Sequence, residues 1–432
     1  MKLRSPAFAL LFAVSLIAAA GNFALQTVLP SIGRTFQLRD ILVSAAFALS
    51  ALMWTLTSPF WARLSDRMGR KKVMMIGLGG FILSMTGFGL ATTAGLEGWL
   101  GFGVAFALMA MARTIYGVFG SAAPIASQAY IADRTSAEQR TQAMSVLASA
   151  QGLGTVIGPM LAPLFILPLV GLAGPMYAFA AIGVAALLVV WRKLPSGEVL
   201  RVPSPSGRDR SGKGLWRDPR VRDYLLYGLL VTGAQAINIS VLGFHVIDEM
   251  AATGTALENA HPFISLAMFA GAAATLLAQW GLIPMLKLQP RDLVRWGAAL
   301  ALIGNVLSIT APGYYGVVMG YAVVSMGLGF ARPGFTAGSS LSVGAAEQGA
   351  IAGLMMALAG LSFLLPPVIG VALYELAEPA PFIANAALLA LATVLCFVSP
   401  SLRTGPPDLP DRDETPSPTT PPASQPGPEG NR

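Results

Sequence analysis

Three kinds of residue are scarce in this chain, and each shortage removes a class of function. Cys396 is the one cysteine among 432 residues, so no disulfide can form within the chain, and its position in the last apolar stretch marks a core residue. The two histidines, His245 and His261, cannot build a histidine metal site by themselves. Charged residues make up only 11% of the chain, and no Asp or Glu falls in the middle of a long apolar stretch. The loop G-x-x-x-x-G-K-[ST] that cradles a nucleoside triphosphate is missing too, which argues against ATP as an energy source. Metal, thiol and nucleotide-driven chemistry are set aside: no cofactor and no enzymatic activity are expected.

What the chain has is apolar length. Hydrophobic residues make up 54% of it, with a mean hydropathy of +0.65, far from a soluble domain of this size. A helix crosses the hydrocarbon core with roughly 20 apolar residues, and backbone groups in lipid must be paired within the helix. Twelve such stretches lie between about residue 7 and residue 399, the fifth at about 141 to 167. The expected fold class is therefore an all-α membrane protein of twelve transmembrane helices. The start, M-K-L-R followed by FALLFAVSLIAAA, looks like a secretory leader with a cleavage site near residues 18–20, but the apolar run continues to Leu29 and reads as the first span.

The net charge of +7 does not point to nucleic acid, because the bases fall in loops between spans and form no stripe. With the N-terminus inside, Arg34 and Arg39 fall in outer loops, Arg113 and Arg332 within spans, and the other bases on the cytoplasmic side. The expectation is a multi-pass protein of the inner (plasma) membrane with both termini in the cytoplasm.

Residues 193–222, with P-S-P-S-G-R-D-R-S-G-K-G, read as a cytoplasmic linker. They separate a six-helix bundle at 1–192 from another at 223–400, and the Pro-rich 401–432 reads as a disordered tail. The halves resemble each other. Ala123 and Pro124 match Arg332 and Pro333 at an offset of 209, as Ala137, Glu138 and Gln139 match Ala346, Glu347 and Gln348. GLGTVIGP at 152–159 then matches GLSFLLPP at 360–367, offset by 208.

The turn at 62–72, A-R-L-S-D-R-M-G-R-K-K, joins the second and third spans. Arg63, Arg67, Arg70, Lys71 and Lys72 anchor it inside, Gly69 allows a positive backbone dihedral, and Asp66 is ionised among so many cations. The turn resembles the hallmark loop G-x-x-x-D-R-x-G-R-[KR] of the major facilitator superfamily: Asp66, Arg67, Gly69, Arg70 and Lys71 match, with Ala62 in place of the first Gly. In span four, Arg113, Gly117 and Gly120 are similar to the family's R-x-x-Q-G-x-G, with Tyr116 where Gln is usual. In span five, Gly154, Gly158 and Pro159 look like the G-x-x-x-G-P signature of the drug:proton antiporter branch, which includes the tetracycline efflux proteins; Ala162 and Pro163 replace its closing Gly-Gly. The resemblance implies a monomeric secondary transporter of major facilitator fold that expels small apolar or amphipathic compounds against a flow of protons by alternating access. It also implies that Arg113 faces a central cavity.

An arginine in mid-membrane costs about 2.5 to 3.5 kcal/mol on insertion scales, so Arg113 asks for a role. Arg332, beside Pro333 and Gly334, is a second such charge unless it lies at the inner boundary. Span one carries Asn22 and Gln26 where many antiporters have a carboxylate, so coupling falls to His245, Asp248 and Glu249 at the outer end of span seven. Two arginines without buried acids also allow a cavity that selects organic anions. A third reading is a scaffold or sensor of the same fold that moves nothing. Tyr116, Phe119, Gln128, Gln151, Asn238, Gln279 and Asn305 are the polar and aromatic candidates for a cavity wall. Arg67 or Arg70 is expected to pair with Asp133, and Asp66 to approach span eleven near Gly349, together latching the cytoplasmic side.

Overall fold

The computed structural model describes residues 5–135, 137–195, 214–344 and 347–404. In the first half, α1 is Pro6–Thr35, α2 Asp40–Met68, α3 Arg70–Leu96, α4 Phe102–Ala132, α5 Ala137–Leu161 and α6 Gly174–Lys193. In the second, α7 is Pro219–Ala252, α8 His261–Leu286, α9 Pro290–Thr310 and α10 Gly313–Leu341. Helix α11 comes in two pieces, Gln348–Ser362 and Pro366–Leu376, and α12 is Ala380–Val398. Among the described residues, eleven helices are long and apolar enough to cross a membrane. The remaining expected span is α5, whose 25 residues reach about 37 Å at 1.5 Å per residue. Helix α1 packs against it.

The helices start where short-range chemistry says they should. Ser5 accepts a hydrogen bond from the Phe8 N–H at 3.3 Å with Pro6 following it, and Asp218 accepts one from the Arg220 N–H at 2.9 Å with Pro219 following it. The expected outer loop holding Arg34, Arg39 and Asp40 shrinks to residues 36–39: Arg34 belongs to the last turn of α1 and Asp40 opens α2. The helices outrun their apolar stretches because a helix satisfies its own backbone whether its side chains face lipid or water.

Two six-helix bundles repeat the same contacts. Thr57 Oγ1 of α2 donates to the Val118 carbonyl of α4 at 3.0 Å, and Thr275 Oγ1 of α8 donates to the Ser325 carbonyl of α10 at 3.0 Å. A Cβ on Gly77 of α3 would strike the backbone of Ala123, and one on Gly297 of α9 would strike the backbone of Ala331. Ala123 and Ala331 stand 208 residues apart, one short of the offset that set Ala123 against Arg332 and equal to that between 152–159 and 360–367.

Three expected spans are interrupted. Helix α4 is broken at Ser121, α8 has a π-helical turn at Leu277–Leu282, and α11 breaks between Ser362 and Pro366. Cys396 is buried in α12 and its Sγ donates to the Ala392 carbonyl at 3.2 Å. Residues 196–213 of the expected linker lie outside the described residues. At the start of the expected tail, Pro400–Thr404 forms a short helix whose Leu402 is buried in the second bundle; the rest of the tail is outside the described residues.

Candidate functional site

Arg113 is the most unusual side chain in the first bundle. It sits in α4, 3% exposed. Its Nη2 donates to Asn22 Oδ1 of α1 at 3.1 Å. Its Nε and Nη1 are buried with no acceptor among the described residues. Two rings flank the guanidinium, Phe47 of α2 at 4.2 Å and Tyr116 at 4.9 Å, and Trp54 of α2 lies against Tyr116 with ring centroids 5.6 Å apart. Cation–π contact of this kind offsets part of the charge burial, but it does not replace an acceptor. Gln26, one turn from Asn22 on α1, also has a buried Oε1 without a partner among the described residues.

Helix α1 carries this group to the boundary between the bundles. Thr27 Oγ1 donates to Met268 Sδ of α8 at 3.3 Å, and Phe23 packs against the cluster built on Leu242, Val246 and Met268. At the end of the molecule opposite the 62–72 turn, the halves are joined by charge. Arg34 bonds Asp40 at 2.7 Å and Asp248 of α7 at 3.0 Å. Tyr374 Oη of α11 donates to Asp248 at 2.7 Å. Arg39 meets Glu375 of α11 at 2.7 Å, and Glu375 also accepts the Ile41 N–H at 2.9 Å. Every ion pair that links a described residue of one half to a described residue of the other lies at this end.

The 62–72 turn forms its pairs inside one half. Gly69 is the single residue between α2 and α3, at φ 93°, ψ 147°. Arg70 pairs with both Asp66 and, at 2.8 Å, Asp133 at the end of α4. Lys71 Nζ donates to the Trp191 carbonyl at 2.8 Å, while Arg67 is exposed and has no ion pair among the described residues. Arg70 is thus the expected partner of Asp133, and Asp66 joins the same cluster; the expected approach of Asp66 to Gly349 lies outside the described residues.

The other expected residues scatter. Gly154 and Gly158 of α5 sit on Ala19, Ala20 and Ala24 of α1, so closely that a Cβ on either would meet α1 backbone; Pro159 is buried beside them. His245 lies between the rings of Phe382, 4.9 Å, and Tyr374, 6.1 Å, with its Nδ1 unpartnered among the described residues. Glu249 is half-buried and joins no ion pair among the described residues. Asn305 and Asn238 are tied into the second bundle, donating to the Phe382 carbonyl at 2.6 Å and the Ala234 carbonyl at 3.1 Å. Phe119 packs on Gly80 and Trp61, Gln128 is half-buried, and Gln151 is exposed. Gln279 falls in the π-helical turn. Arg332 is exposed on α10 without an ion pair among the described residues. Arg34, Arg39, Asp40, Tyr374 and Glu375 form the seam without having been singled out; the only hint was a clustering of charge near residue 40.

The bundles, their repeat and the basic turn define a multi-pass membrane protein of paired halves. The chain belongs to the Major Facilitator Superfamily, whose family model matches residues 11–289. It is similar to Multidrug resistance protein 2 of Bacillus subtilis (strain 168), 26% identical over 387 residues, 87% of this chain and 90% of that one. It is also similar to Tetracycline resistance protein, class B, of Escherichia coli, 23% identical over 376 residues, 85% of this chain and 88% of that one. Its fold is that of a bacterial homolog of the human lysosomal transporter Spinster, solved inward-facing and unoccupied: TM-score 0.68 at 15% identity, covering 93% of this chain and 98% of that one.

Proposed function

We propose that the protein is a secondary active transporter that expels small apolar or amphipathic compounds from the cytoplasm by alternating access, with protons as the driving ion. The observation that carries this reading is the one-sided seam: Arg34 with Asp248 and Arg39 with Glu375 join the halves at one end, while the pairs of the 62–72 turn stay within the first half. A machine whose halves rock about a central site closes one end at a time. Positively charged turns favour the cytoplasmic face, so on this reading the seam is a closed outer gate and the arrangement faces inward. Residues 1–192 and 223–400 are the moving bodies and 193–222 their tether. The protein works as a monomer in the plasma membrane, with both termini inside.

Relatives that carry multidrug and tetracycline resistance in their names support an export role. The apolar rings around Arg113 suit flat amphipathic compounds. The deciding experiment is a panel of lipophilic dyes and drugs in liposomes holding the purified chain, with and without a pH gradient. Transport that speeds up several-fold with the gradient is the expected result. Transport indifferent to the gradient removes protons as the driving ion, and movement of no solute under any gradient favours a scaffold or sensor of the same fold.

A further inference from the structure

Arg113 is a cation short of a counter-charge. A guanidinium keeps its charge when buried, and burying it is costly unless it is paired or well hydrogen-bonded. Here one nitrogen, Nη2, reaches a neutral amide oxygen, and two nitrogens reach nothing among the described residues. Among the described residues no carboxylate pairs with Arg113. The α1 position that faces Arg113 is Asn22, and the next turn offers Gln26. An aspartate or glutamate at either would have neutralised the guanidinium; both are amides, and an amide leaves the charge intact.

The surroundings also specify the rest of a ligand. Phe47 and Tyr116 present their rings 4.2 and 4.9 Å from the guanidinium, and Trp54 lies against Tyr116 with ring centroids 5.6 Å apart. Asn22 and Gln26 are only half-buried, and α1 beside them touches the second bundle through Phe23 and Thr27. The group therefore borders the space that opens between the halves.

We propose that Arg113 is the acceptor site for a carboxylate carried by the transported compound, so that preferred substrates join a carboxylate to a flat apolar body. The inference rests on the transport reading and narrows its substrate class. The carboxylate takes N–H groups of Nη1 and Nη2 across the end of the guanidinium, sharing Nη2 with Asn22, the rings of Phe47, Tyr116 and Trp54 take the flat body, and the side-chain amide of Gln26 can turn its NH₂ toward the anion.

The test compares a fluorescent aromatic carboxylic acid with its methyl amide, which keeps the body and removes the charge. Equilibrium binding to the purified full-length chain is measured first, then movement in liposomes. The wild-type protein is expected to bind the acid about tenfold to a hundredfold more tightly, the range of one or two charge-assisted hydrogen bonds. Arg113→Gln is expected to bring the ratio close to one, and Arg113→Lys, which keeps the charge without the planar fork, to leave it in between. Equal binding of the two compounds by the wild-type protein overturns the proposal without needing any variant to fold, and so does an unchanged ratio in Arg113→Gln. A tighter-bound acid that never moves in liposomes leaves the site standing and removes the transport reading. Equal movement of both compounds with equal binding does the reverse.

Discussion

Gly69 shows how much one residue can decide. It alone separates α2 from α3, and its φ 93°, ψ 147° belongs to a region open in practice only to glycine. Any side chain there strains the turn by about 1 to 3 kcal/mol, and the strain acts directly on Arg70, the next residue, which holds Asp66 and Asp133. Gly69→Ala should therefore lower the melting temperature in detergent by several degrees. Arg67→Ala, two residues away on an exposed side chain, should fall within about 0.5 kcal/mol of the parent. Equal melting of Gly69→Ala and parent would mean that the turn relaxes around the new side chain. At this scale much was readable from the chain: a glycine in a basic turn requires a special backbone, and an acid at the end of α4 is a natural partner for its arginines. The Lys71 bond to the Trp191 carbonyl was not readable, because a backbone acceptor leaves no trace in residue type.

Between elements, the spacing of Gly154 and Gly158 announces a close helix crossing but does not say with which helix. The structure supplies α1, whose Ala19, Ala20 and Ala24 let the backbones meet. Gly158→Ala drives a methyl into the Ala20 carbonyl, and overpacking of that kind costs about 1 to 3 kcal/mol. Gly152, on the same helix, has nothing within 4 Å of its would-be Cβ. Gly152→Ala should be neutral or stabilising by up to about 1 kcal/mol, since alanine is the better helix former. Thermal and denaturant melting of the two variants side by side checks the pair: similar losses in both would mean that the crossing is not where glycine is needed. Apolar length was enough to find the helices, yet their interruptions were hidden. A π-helical turn adds a residue to one turn of α8 and rotates all that follows. Gln279, one of the polar candidates for a cavity wall, sits inside that irregular turn. Asn305 looked like a polar handle, but its amide is needed by the Phe382 carbonyl of a neighbouring helix. Such choices depend on which element arrives opposite, and the local pattern is silent about it.

For the whole molecule, the balance between arrangements is set at the seam. Its partners are 214 residues apart in the case of Arg34 and Asp248, and 336 apart in the case of Arg39 and Glu375. No periodicity or motif connects positions so distant, which is why Asp248 read as a coupling group when it is, in this arrangement, a bridge between halves. Both pairs are partly open to solvent, with side-chain exposures of 31% and 25% for the first and 74% and 18% for the second. Each is then worth about 0.2 to 1 kcal/mol. That is small against folding and large against a two-state balance, because about 1.4 kcal/mol shifts an equilibrium tenfold. Asp248→Asn combined with Glu375→Gln removes both bridges and leaves side-chain volume nearly unchanged. Spin labels placed on the two halves at the seam end, in a Cys396→Ala background, should then report a longer distance in a fraction of molecules raised several-fold over the parent. Labels at the opposite end, beside the 62–72 turn, should report shorter distances in the same fraction, since rocking halves open one end as they close the other. Raising the salt concentration of the parent should move both distances the same way by a smaller amount, as exposed pairs are screened. Seam distances that ignore both the double substitution and salt would mean that apolar packing of α2 against α11, and not charge, holds this end shut.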